Sequence, residues 1–406
     1  MNCSCPVAKV INQQSHTEKI SLSSSTSIYL YDDIKQIDVE SWNSIYSHNN
    51  FASIDYFKAL EEAKLENIKN IYVLFKKGET TIGKALFQQI NFSGEQTKHY
   101  LQEKEGQTIK NFFIRLAGNF ASTLSGSVLV LGNLLVTGDH GYKFASTINN
   151  TEIKELIIAA TKKVNKQFGN CNMTLYKDFP VKDIDETDAG FAGFSHFLAD
   201  PNMKMETNYS TWNEYLAALS SKYRTRTKKV YKESSALKTV EINSENFHLH
   251  KEDIQILYNN IMDNIGFKMA VANADYFANI TKRLKDKIII YAYELEGKLV
   301  AFNTALLQGD EYEVHLIGLD YGKNTGLKLY NRILYDNLQK AIELGYNYIG
   351  FGRTANEIKS TVGAKPKTMN CFMKFNNPII NLFAPTILKA FKPKEWEQRH
   401  PFKTVN

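Results

Sequence analysis

Residues 312–326 read YEVHLIGLDYGKNTG and residues 346–355 read YNYIGFGRTA, with one long amphipathic segment between them. The first stretch predicts a strand that breaks at a glycine-containing loop, because glycine permits backbone turns that other residues avoid. Apolar residues at helical spacing predict a helix over about 327–344, and Gly345 is a typical helix end. The second stretch predicts another strand. This order of strand, break, helix and strand is the basis of the fold prediction.

The first half of the chain repeats this order. VLVLGNLLVTGDHGYKF (128–144) predicts a buried strand and a glycine-containing break, and NMTLYKDFP (172–180) predicts the later strand. Between them, apolar residues at helical spacing predict a helix over 151–168 that ends at Gly169. A predicted hairpin precedes each copy. Although identity between the copies is slight, the shared pattern predicts a tandem structural repeat of α/β type.

The length and composition favour a two-domain globular protein. With 406 residues, 43% of them hydrophobic and 23% charged, the chain is too long for one ordinary domain. We expect a disordered lead at 1–26, a first domain at 27–205, a second domain at 206–380 and a C-terminal tail at 381–406. The net charge of +6 does not by itself indicate nucleic acid.

Several features favour a cytoplasmic protein without a bound metal. The four cysteines show neither a disulfide framework nor the spacing of a zinc site. The first 26 residues have no apolar segment typical of a signal peptide. The longest apolar run, at 126–136, is too short to span a bilayer. We therefore expect a cytoplasmic location, with peripheral contact at the inner face of the membrane as an open alternative.

Two segments carry a family resemblance. GFGRTANEIKSTVGAKP (350–366) looks like the end of the second unit in Fem-type aminoacyltransferases, and SSKYRTRTKKVYK (220–232) is similar to the basic helix that opens that unit. With the repeat, they resemble the tandem GNAT acyltransferase fold of Fem-type enzymes and of predicted N-acyltransferases of peptidoglycan biosynthesis, over residues 28–380. The resemblance implies an α/β fold of two tandem GNAT-like units with mixed sheets and flanking helices.

The resemblance also implies an activity, the transfer of an acyl or aminoacyl group to an amine acceptor such as a cell-wall or lipid precursor. It implies no tightly bound cofactor, and acyl-CoA or aminoacyl-tRNA as co-substrate. GNAT enzymes usually hold the CoA pyrophosphate in an Arg/Gln-x-x-Gly-x-Gly/Ala loop, where backbone N–H groups bind the anion. Neither break loop of this chain, at 137–141 or 321–326, has that motif. The donor is therefore left open between acyl-CoA, an acyl carrier protein and aminoacyl-tRNA.

Glu313 and His315 are the candidate catalytic residues. They alternate on the predicted strand, which places both side chains on one face. Aminolysis of an ester or thioester needs a base, because a protonated amine is not a nucleophile. The alternative is a buried pair that is satisfied internally, or an exposed strand face.

Further residues are candidates for substrate binding. Arg353 follows a strand end, where ligands gather in α/β sheets, and could hold a phosphate or carboxylate; the alternative is an ion pair that holds the next loop. Lys359, on a predicted short helix, either binds an anion or faces solvent. The run at 221–232 has six basic residues and no acidic one, and Arg224 and Arg226 are its main candidates for anion contact.

The two break loops and the strand before the first one contribute the other candidates. Tyr321 and Asn324 lie in the second loop, and His140 lies in the equivalent loop of the first unit. Asn133 is a polar residue within a predicted apolar strand, so it needs a hydrogen-bond partner from the protein or from a ligand.

The C-terminal stretch PIINLFAPTILKAFKPKEW (378–396) mixes apolar residues with lysine. It predicts either a helix packed on the second unit or a segment at an anionic membrane surface. The expected partners are an amine-bearing acceptor, and tRNA or an acyl carrier protein, but not DNA. The rival interpretation is a non-catalytic GNAT-fold module that binds an anionic ligand such as tRNA, a nucleotide or a lipid head group.

Overall fold

The computed structural model describes residues 18–21, 26–45, 49–92, 126–138, 140–180, 190–265, 268–389, 393 and 395–403. The strands in this part of the chain are β1 (Glu18–Ser21), β2 (Thr26–Tyr31), β3 (Ile68–Lys77), β4 (Thr80–Phe92), β5 (Gly126–Leu131), β6 (Tyr142–Phe144), β7 (Met173–Pro180), β8 (Ser195–Glu206), β9 (Lys238–Glu241), β10 (Ile288–Leu295), β11 (Lys298–Gln308), β12 (Glu311–Leu319), β13 (Tyr348–Gly350) and β14 (Lys365–Phe375). The α-helices there are α1 (Val39–Ser44), α2 (Ile54–Glu62), α3 (Asn150–Phe168), α4 (Trp212–Ala218), α5 (Ser221–Glu233), α6 (Phe247–Asp263), α7 (Ala274–Leu284), α8 (Tyr321–Leu327), α9 (Leu329–Glu343), α10 (Asn356–Ser360), α11 (Pro378–Leu382) and α12 (Ala384–Leu388).

The described strands form one mixed sheet in the order β1-β2-β3-β4-β5-β7-β14-β8-β13-β12-β11-β10-β9, and β6 pairs with β4. Only the pairs β5–β7 and β12–β13 are parallel among these strands. In each half a hairpin leads to a strand, which is followed by helix and then by a parallel strand. The predicted tandem α/β repeat, with its mixed sheet and flanking helices, is confirmed.

The two halves meet in the middle of the sheet. β14, the last strand of the chain, pairs antiparallel with β7 of the first half and with β8. β8 also pairs with β13 of the second half. The predicted boundary at 205/206 assigns β8 to the first domain, yet its partners are strands of the second half. No sheet edge therefore separates the two units.

Helix α3 illustrates how the sequence sets the element. Its N-cap residue Asn149 accepts a hydrogen bond from the Glu152 N–H, and Gly169 ends the helix with a φ of 101°. Between these ends, the buried positions fall at helical spacing and pack against the first unit's side of the sheet; they are Leu156, Ile157, Ala160, Thr161 and Val164. The prediction of this helix differs from the structure by one residue at its start.

The structure differs from the sequence prediction in three segments. The strand predicted over 128–136 ends at Leu131, because Gly132 turns the chain with a φ of 129°. The loop predicted at 321–326 forms helix α8, since the Asp320 side chain accepts a hydrogen bond from the Gly322 N–H and caps it. Residues 18–21 of the predicted disordered lead form β1, whose backbone pairs with β2; 1–17 and 22–25 lie outside the described residues.

The second unit opens between β12 and β13. These strands pair only over Glu311–Glu313, after which the backbone of Phe351 donates to Met203 on β8 instead. A bulge lies just beyond this point, where Thr304 Oγ1 accepts from the Leu316 N–H and donates to the Leu316 carbonyl. The two strands therefore splay apart from Val314 onward.

A helical layer from both halves covers the sheet at this opening. Helix α2 of the first half packs against α7 of the second, and Tyr56 and Phe277 lie in one continuous buried apolar cluster. Gly318 on β12 is needed here, because a Cβ at that position would meet the backbone of Leu257 on α6 at 2.8 Å. Among the helices in the described part of the chain, none combines the length and apolarity needed to cross a bilayer.

Candidate functional site

A cleft with a volume of about 160 Å³ lies where the two units meet. The turn after β5 contributes His140, the start of β12 contributes Glu311 and Glu313, and the strands at the junction contribute Lys204 and Lys367. The cleft is therefore built by both halves of the chain at the place where their sheets join.

Glu313 is buried in this cleft. Its Oε2 accepts a hydrogen bond from the Gln308 amide, and its Oε1 lies 3.7 Å from His140 Nε2. Burial alone would raise the pKa of Glu313, but the hydrogen bond and charge of His140, with smaller effects of Lys204 and His315, hold it below its ordinary value. The carboxylate form is therefore favoured at neutral pH.

Glu311, two residues earlier on the same strand, differs in its partners. Lys204 Nζ lies 2.6 Å from its Oε1. Burial raises the pKa of Glu311, and the neighbouring charge of Glu313 raises it further, although Lys204 opposes both effects. Two carboxylates in one cleft thus have pKa values shifted in opposite directions, and only Glu311 is paired with a lysine.

The His140 ring is held in one orientation by its neighbours. The Asn49 amide donates to His140 Nδ1, and its orientation is fixed because Asn49 Oδ1 accepts from the Phe51 N–H at 2.9 Å. His140 Nε2 lies 2.9 Å from the carbonyl oxygen of Thr137, so this nitrogen carries the hydrogen and donates. The imidazole is thereby oriented beside Glu313.

His315 ends a chain of buried hydrogen bonds that starts at Asn133. Asn133 Oδ1 accepts from the Leu135 N–H at 3.0 Å, so its amide nitrogen faces Tyr56 and donates to that hydroxyl at 3.0 Å. The Tyr56 and Tyr276 hydroxyls lie 3.0 Å apart, and the Tyr276 hydroxyl lies 2.7 Å from His315 Nε2.

Which group donates in each of these hydrogen bonds follows from the partners that each hydroxyl has available. Tyr56 is fully buried, and its hydrogen finds an acceptor only if it points to the Tyr276 oxygen. The Tyr276 hydrogen then goes to His315 Nε2, which accepts it as a neutral imidazole. In agreement, burial lowers the pKa of His315 to about 3. The Nε2 lone pair of His315 is thus already used by the protein.

The structure brings Glu313, His315 and His140 together. The Phe51 ring lies 5.0 Å from the His315 ring and 5.3 Å from the His140 ring. Asn133 is joined to the same group through its hydrogen-bond chain. It lies in the turn after β5, and its partners are protein groups.

Arg353 forms an ion pair across the junction. Its guanidinium contacts Asp178 Oδ1 on β7, while Lys177 Nζ lies 2.5 Å from Asp178 Oδ2. The Gly138 N–H also donates to Asp178 Oδ2, at 3.0 Å. Of the two alternatives for Arg353, the geometry is that of an ion pair, but its partner is a strand of the other unit and not the next loop.

Lys359 is buried on α10, where neither solvent nor an open groove reaches it. Its Nζ donates to the Arg353 carbonyl, and burial lowers its pKa to about 7. This contact braces a tight turn in which Thr354 and Ala355 have φ values of 64° and 49°. Lys359 therefore holds the segment that carries Arg353.

The remaining candidates lie away from the cleft. Asn324 Oδ1 accepts from the Tyr330 N–H at the start of α9, and Tyr321 is exposed on α8. Arg226 lines a separate groove of about 270 Å³ beside α10, together with Lys222 and Arg399. Arg224 is half-buried, and two residues along a helix place it on a different side from Arg226. No group of His, Cys, Asp and Glu within the described residues is arranged to hold a metal ion.

Two amide side chains in the cleft each carry an oxygen without a hydrogen bond in the described part of the chain. They are Asn202 Oδ1 and Gln308 Oε1, and both side chains are buried. A buried polar atom without a partner is costly, so these oxygens are suited to accept hydrogen bonds from a ligand. Sequence analysis found neither residue, because neither Asn202 nor Gln308 belongs to a motif.

Comparisons with known proteins bear on the fold. No protein-family model matches the sequence. No curated protein matches it either. Among solved structures, FemX superposes with a TM-score of 0.53 over 91% of this chain and 100% of its own, at 12% identity.

Two further solved structures are similar over most of their length. A tandem GNAT protein from the clavulanic acid biosynthesis pathway covers 83% of this chain and 93% of its own, with 8% identity and a TM-score of 0.46. The C-terminal DUF2156 domain of a putative lysylphosphatidylglycerol synthetase from Agrobacterium fabrum covers 88% and 98%, with 9% identity and a TM-score of 0.47. The likeness to FemX establishes the fold, and the chain consists of two tandem GNAT-like units.

Proposed function

We propose that this chain transfers an acyl or aminoacyl group to a primary amine that binds in the cleft between its two GNAT-like units. The observation that carries the proposal is Glu313, a buried carboxylate beside two oxygens, of Asn202 and Gln308, that accept no hydrogen bond from the described residues. An amine supplies the N–H donors that these oxygens lack. FemX, with the same fold, is a Fem-type protein by its name.

In the proposed mechanism the acceptor enters as an ammonium. It donates to Asn202 Oδ1 and Gln308 Oε1, and transfers one proton to Glu313. The neutral amine then attacks the donor carbonyl, a C–N bond forms, and the bond to the donor oxygen or sulfur breaks. The proton on Glu313 passes to that leaving group. The second proton, which the attacking nitrogen loses as the amide forms, is taken up by the freed Glu313 carboxylate and released to solvent, so no covalent enzyme intermediate is needed.

The splayed edge of β12 supplies a candidate oxyanion donor. The Leu316 and Asp320 N–H groups point toward β11, where they bond to Thr304 Oγ1 and the Val300 carbonyl. Because backbone N–H groups alternate along a strand, the Ile317 N–H points to the opposite, open side. An N–H group fixed in a strand can stabilise a developing oxyanion without reorganisation.

The contacts at both helix starts disfavour a donor held by its pyrophosphate. In the second unit, the Asp320 carboxylate already accepts the Gly322 N–H at 2.8 Å. In the first unit, Asn149 caps α3 and Glu152 lies in its first turn. A pyrophosphate at either helix start would meet acidic side chains, or N–H groups that already donate to a capping residue, instead of free N–H donors. We therefore favour aminoacyl-tRNA over acyl-CoA, with the groove at Lys222 and Arg226 as its phosphate contact.

The two carboxylates of β12 provide a matched test of the base. We expect Glu313→Gln to lower kcat about 10²–10⁴-fold, whereas Glu311→Gln lowers it much less because Glu311 is paired with Lys204. His315→Asn should act mainly on stability. Turnover would be followed by mass spectrometry of an amine acceptor with each donor. Equal activity of Glu313→Gln and wild type would remove Glu313 as the base.

The donor can be identified separately by the thermal stability of the protein with acyl-CoA, acyl carrier protein and aminoacyl-tRNA. We expect stabilisation by aminoacyl-tRNA, and its reduction in an Arg226→Ala variant. Stabilisation by acyl-CoA alone would contradict the donor assignment. The mass of any co-purifying ligand gives an independent identification.

A non-catalytic binding module is the second candidate. It is favoured by the internal use of Arg353 and His315, both of which are engaged by protein groups. Ligand binding without turnover of any donor, and with equal affinity in Glu313→Gln, is the result that supports it.

A further inference from the structure

An exposed apolar surface lies after β14, on α11 and at the start of α12. Ile379 is 71% exposed, Leu382 77% and Phe383 58%. Among the described large apolar side chains, only Leu249 at 68% and Ile256 at 59% are comparably exposed. Ile379, Leu382 and Phe383, here called the apolar tip, thus place three of the five most exposed large apolar side chains of the described residues within five positions of sequence.

The apolar tip is held in place by polar residues. Asn377 accepts hydrogen bonds from the Ile379 and Ile380 N–H groups, at 2.9 and 3.2 Å, and so fixes the start of α11. Asn381 accepts from the Phe375 N–H at 2.9 Å and donates to the Gly193 carbonyl at 3.1 Å. Asn377 therefore fixes the helix start and Asn381 ties the segment to the rest of the protein, while the three side chains of the apolar tip stay exposed.

Helix α12 completes the anchorage. Ala384 and Leu388 are buried, and Leu388 belongs to a cluster with Met373 of β14. One face of this stretch therefore packs on the sheet, in a cluster that includes Val128 and Leu175 of the first unit, while the apolar tip remains exposed. Contact with a membrane stays a prediction. An exposed apolar patch that is rigidly held is typical of a surface that docks on something else.

The charge around the apolar tip favours an anionic partner. Between residues 370 and 394 the sequence contains four lysines, Lys374, Lys389, Lys392 and Lys394, and no acidic residue. Apolar side chains flanked by lysines are the pattern of segments that insert at the interface of an anionic bilayer.

We propose that residues 376–389 form a docking surface for an anionic lipid bilayer, with the apolar tip inserted among the acyl chains and Lys389 on the head groups. This inference does not depend on the acyl-transfer proposal. It places the protein peripherally on a membrane.

The test is co-sedimentation of the full chain with phosphatidylcholine vesicles, prepared with and without phosphatidylglycerol. We expect binding to the vesicles that contain phosphatidylglycerol, and weakening by salt. The Leu382→Ser/Phe383→Ser double variant should bind at least about tenfold more weakly, because two large apolar side chains no longer insert. Lys389→Gln should weaken binding by about fivefold at low salt.

The matched control is Leu249→Ser/Ile256→Ser, which removes two comparably exposed apolar side chains from α6. Its binding should equal that of the wild type, and circular dichroism checks the folding of both double variants. Equal binding of the tip variant and the wild type would overturn the proposal, as would equal binding to pure phosphatidylcholine. A wild-type dimer that the tip substitutions convert to a monomer, with no vesicle binding, would assign the surface to a second copy instead.

Discussion

The sequence predicts the same role for Glu313 and His315, but their contacts in the structure give them different roles. They stand two residues apart and interact with the same His140. His315 Nε2 accepts a hydrogen bond from the Tyr276 hydroxyl. Glu313 Oε1, in contrast, lies 3.7 Å from His140 Nε2. The strand pattern predicted their proximity. It could not predict the division of roles, because Tyr56 and Tyr276 come from distant helices.

A related limit applies to Arg353. The prediction placed it at a strand end, where its guanidinium is found, and left open what it contacts. Its partner Asp178 lies in β7 of the first unit, just after the residues of that strand that pair parallel with β5. Applying the same strand-end rule to both copies of the repeat would have pointed to Lys177 and Asp178.

Lys359 gives a prediction about pH. Its folded pKa is about 7, and an unfolded lysine has a pKa of about 10.4, so between these values the unfolded chain binds a proton that the folded chain does not. The free energy of unfolding of the wild type should therefore rise with pH across this window, relative to Lys359→Met, by at most about 1.4 kcal/mol per pH unit. Urea unfolding at several pH values between 7 and 10 measures the difference.

The control for this pH dependence is Lys228→Met, which removes an exposed lysine of α5. Its unfolding free energy should run parallel to that of the wild type over the same range. A Lys359→Met curve that also runs parallel would show that Lys359 stays protonated in the folded protein.

At the scale of elements, the starts of α3 and α8 differ in how readily the sequence predicts the capping residue. Asn149 caps α3 and Asp320 caps α8, each by accepting an N–H hydrogen bond. The cap of α3 was predictable from its spacing. That of α8 was missed because Gly322 and Gly326 indicate a loop, and the Asp320 side chain with its N–H partner outweighs their low helix propensity.

These caps form a matched pair for mutation. Asp320→Ala and Asn149→Ala should each lower the unfolding free energy by about 1 kcal/mol, because each leaves an N–H group without its acceptor. Under the proposed mechanism, neither should change the KM for the donor. Urea unfolding and steady-state kinetics measure the two effects. A tenfold change in donor KM for Asp320→Ala alone would place the donor at this helix start.

At the scale of the whole molecule, the repeat was readable from the sequence but the junction was not. Hairpins, breaks and glycine-capped helices are local patterns, so each unit could be predicted. The pairing of β14 with β7 joins residues almost two hundred positions apart, for example Met373 with Leu175. No local pattern specifies such a pair, and β14 lines the cleft through Lys367 and Met369.

From the junction between the two units we predict one cooperative unfolding transition, whose temperature depends on the Asp178 carboxylate. Asp178→Asn leaves Arg353 buried without its counter-charge, and should cost about 3–5 kcal/mol. Glu62→Gln is the control, since Glu62 also joins the two halves, through Arg283, but at the exposed surface; it should cost less than about 1 kcal/mol. Because the sheet is continuous through β7, β14 and β8, calorimetry should show one transition that moves as a whole to lower temperature in Asp178→Asn. Two transitions, of which only one moves, would mean that the two units unfold separately. The ion pair would then stabilise only the unit whose transition moves.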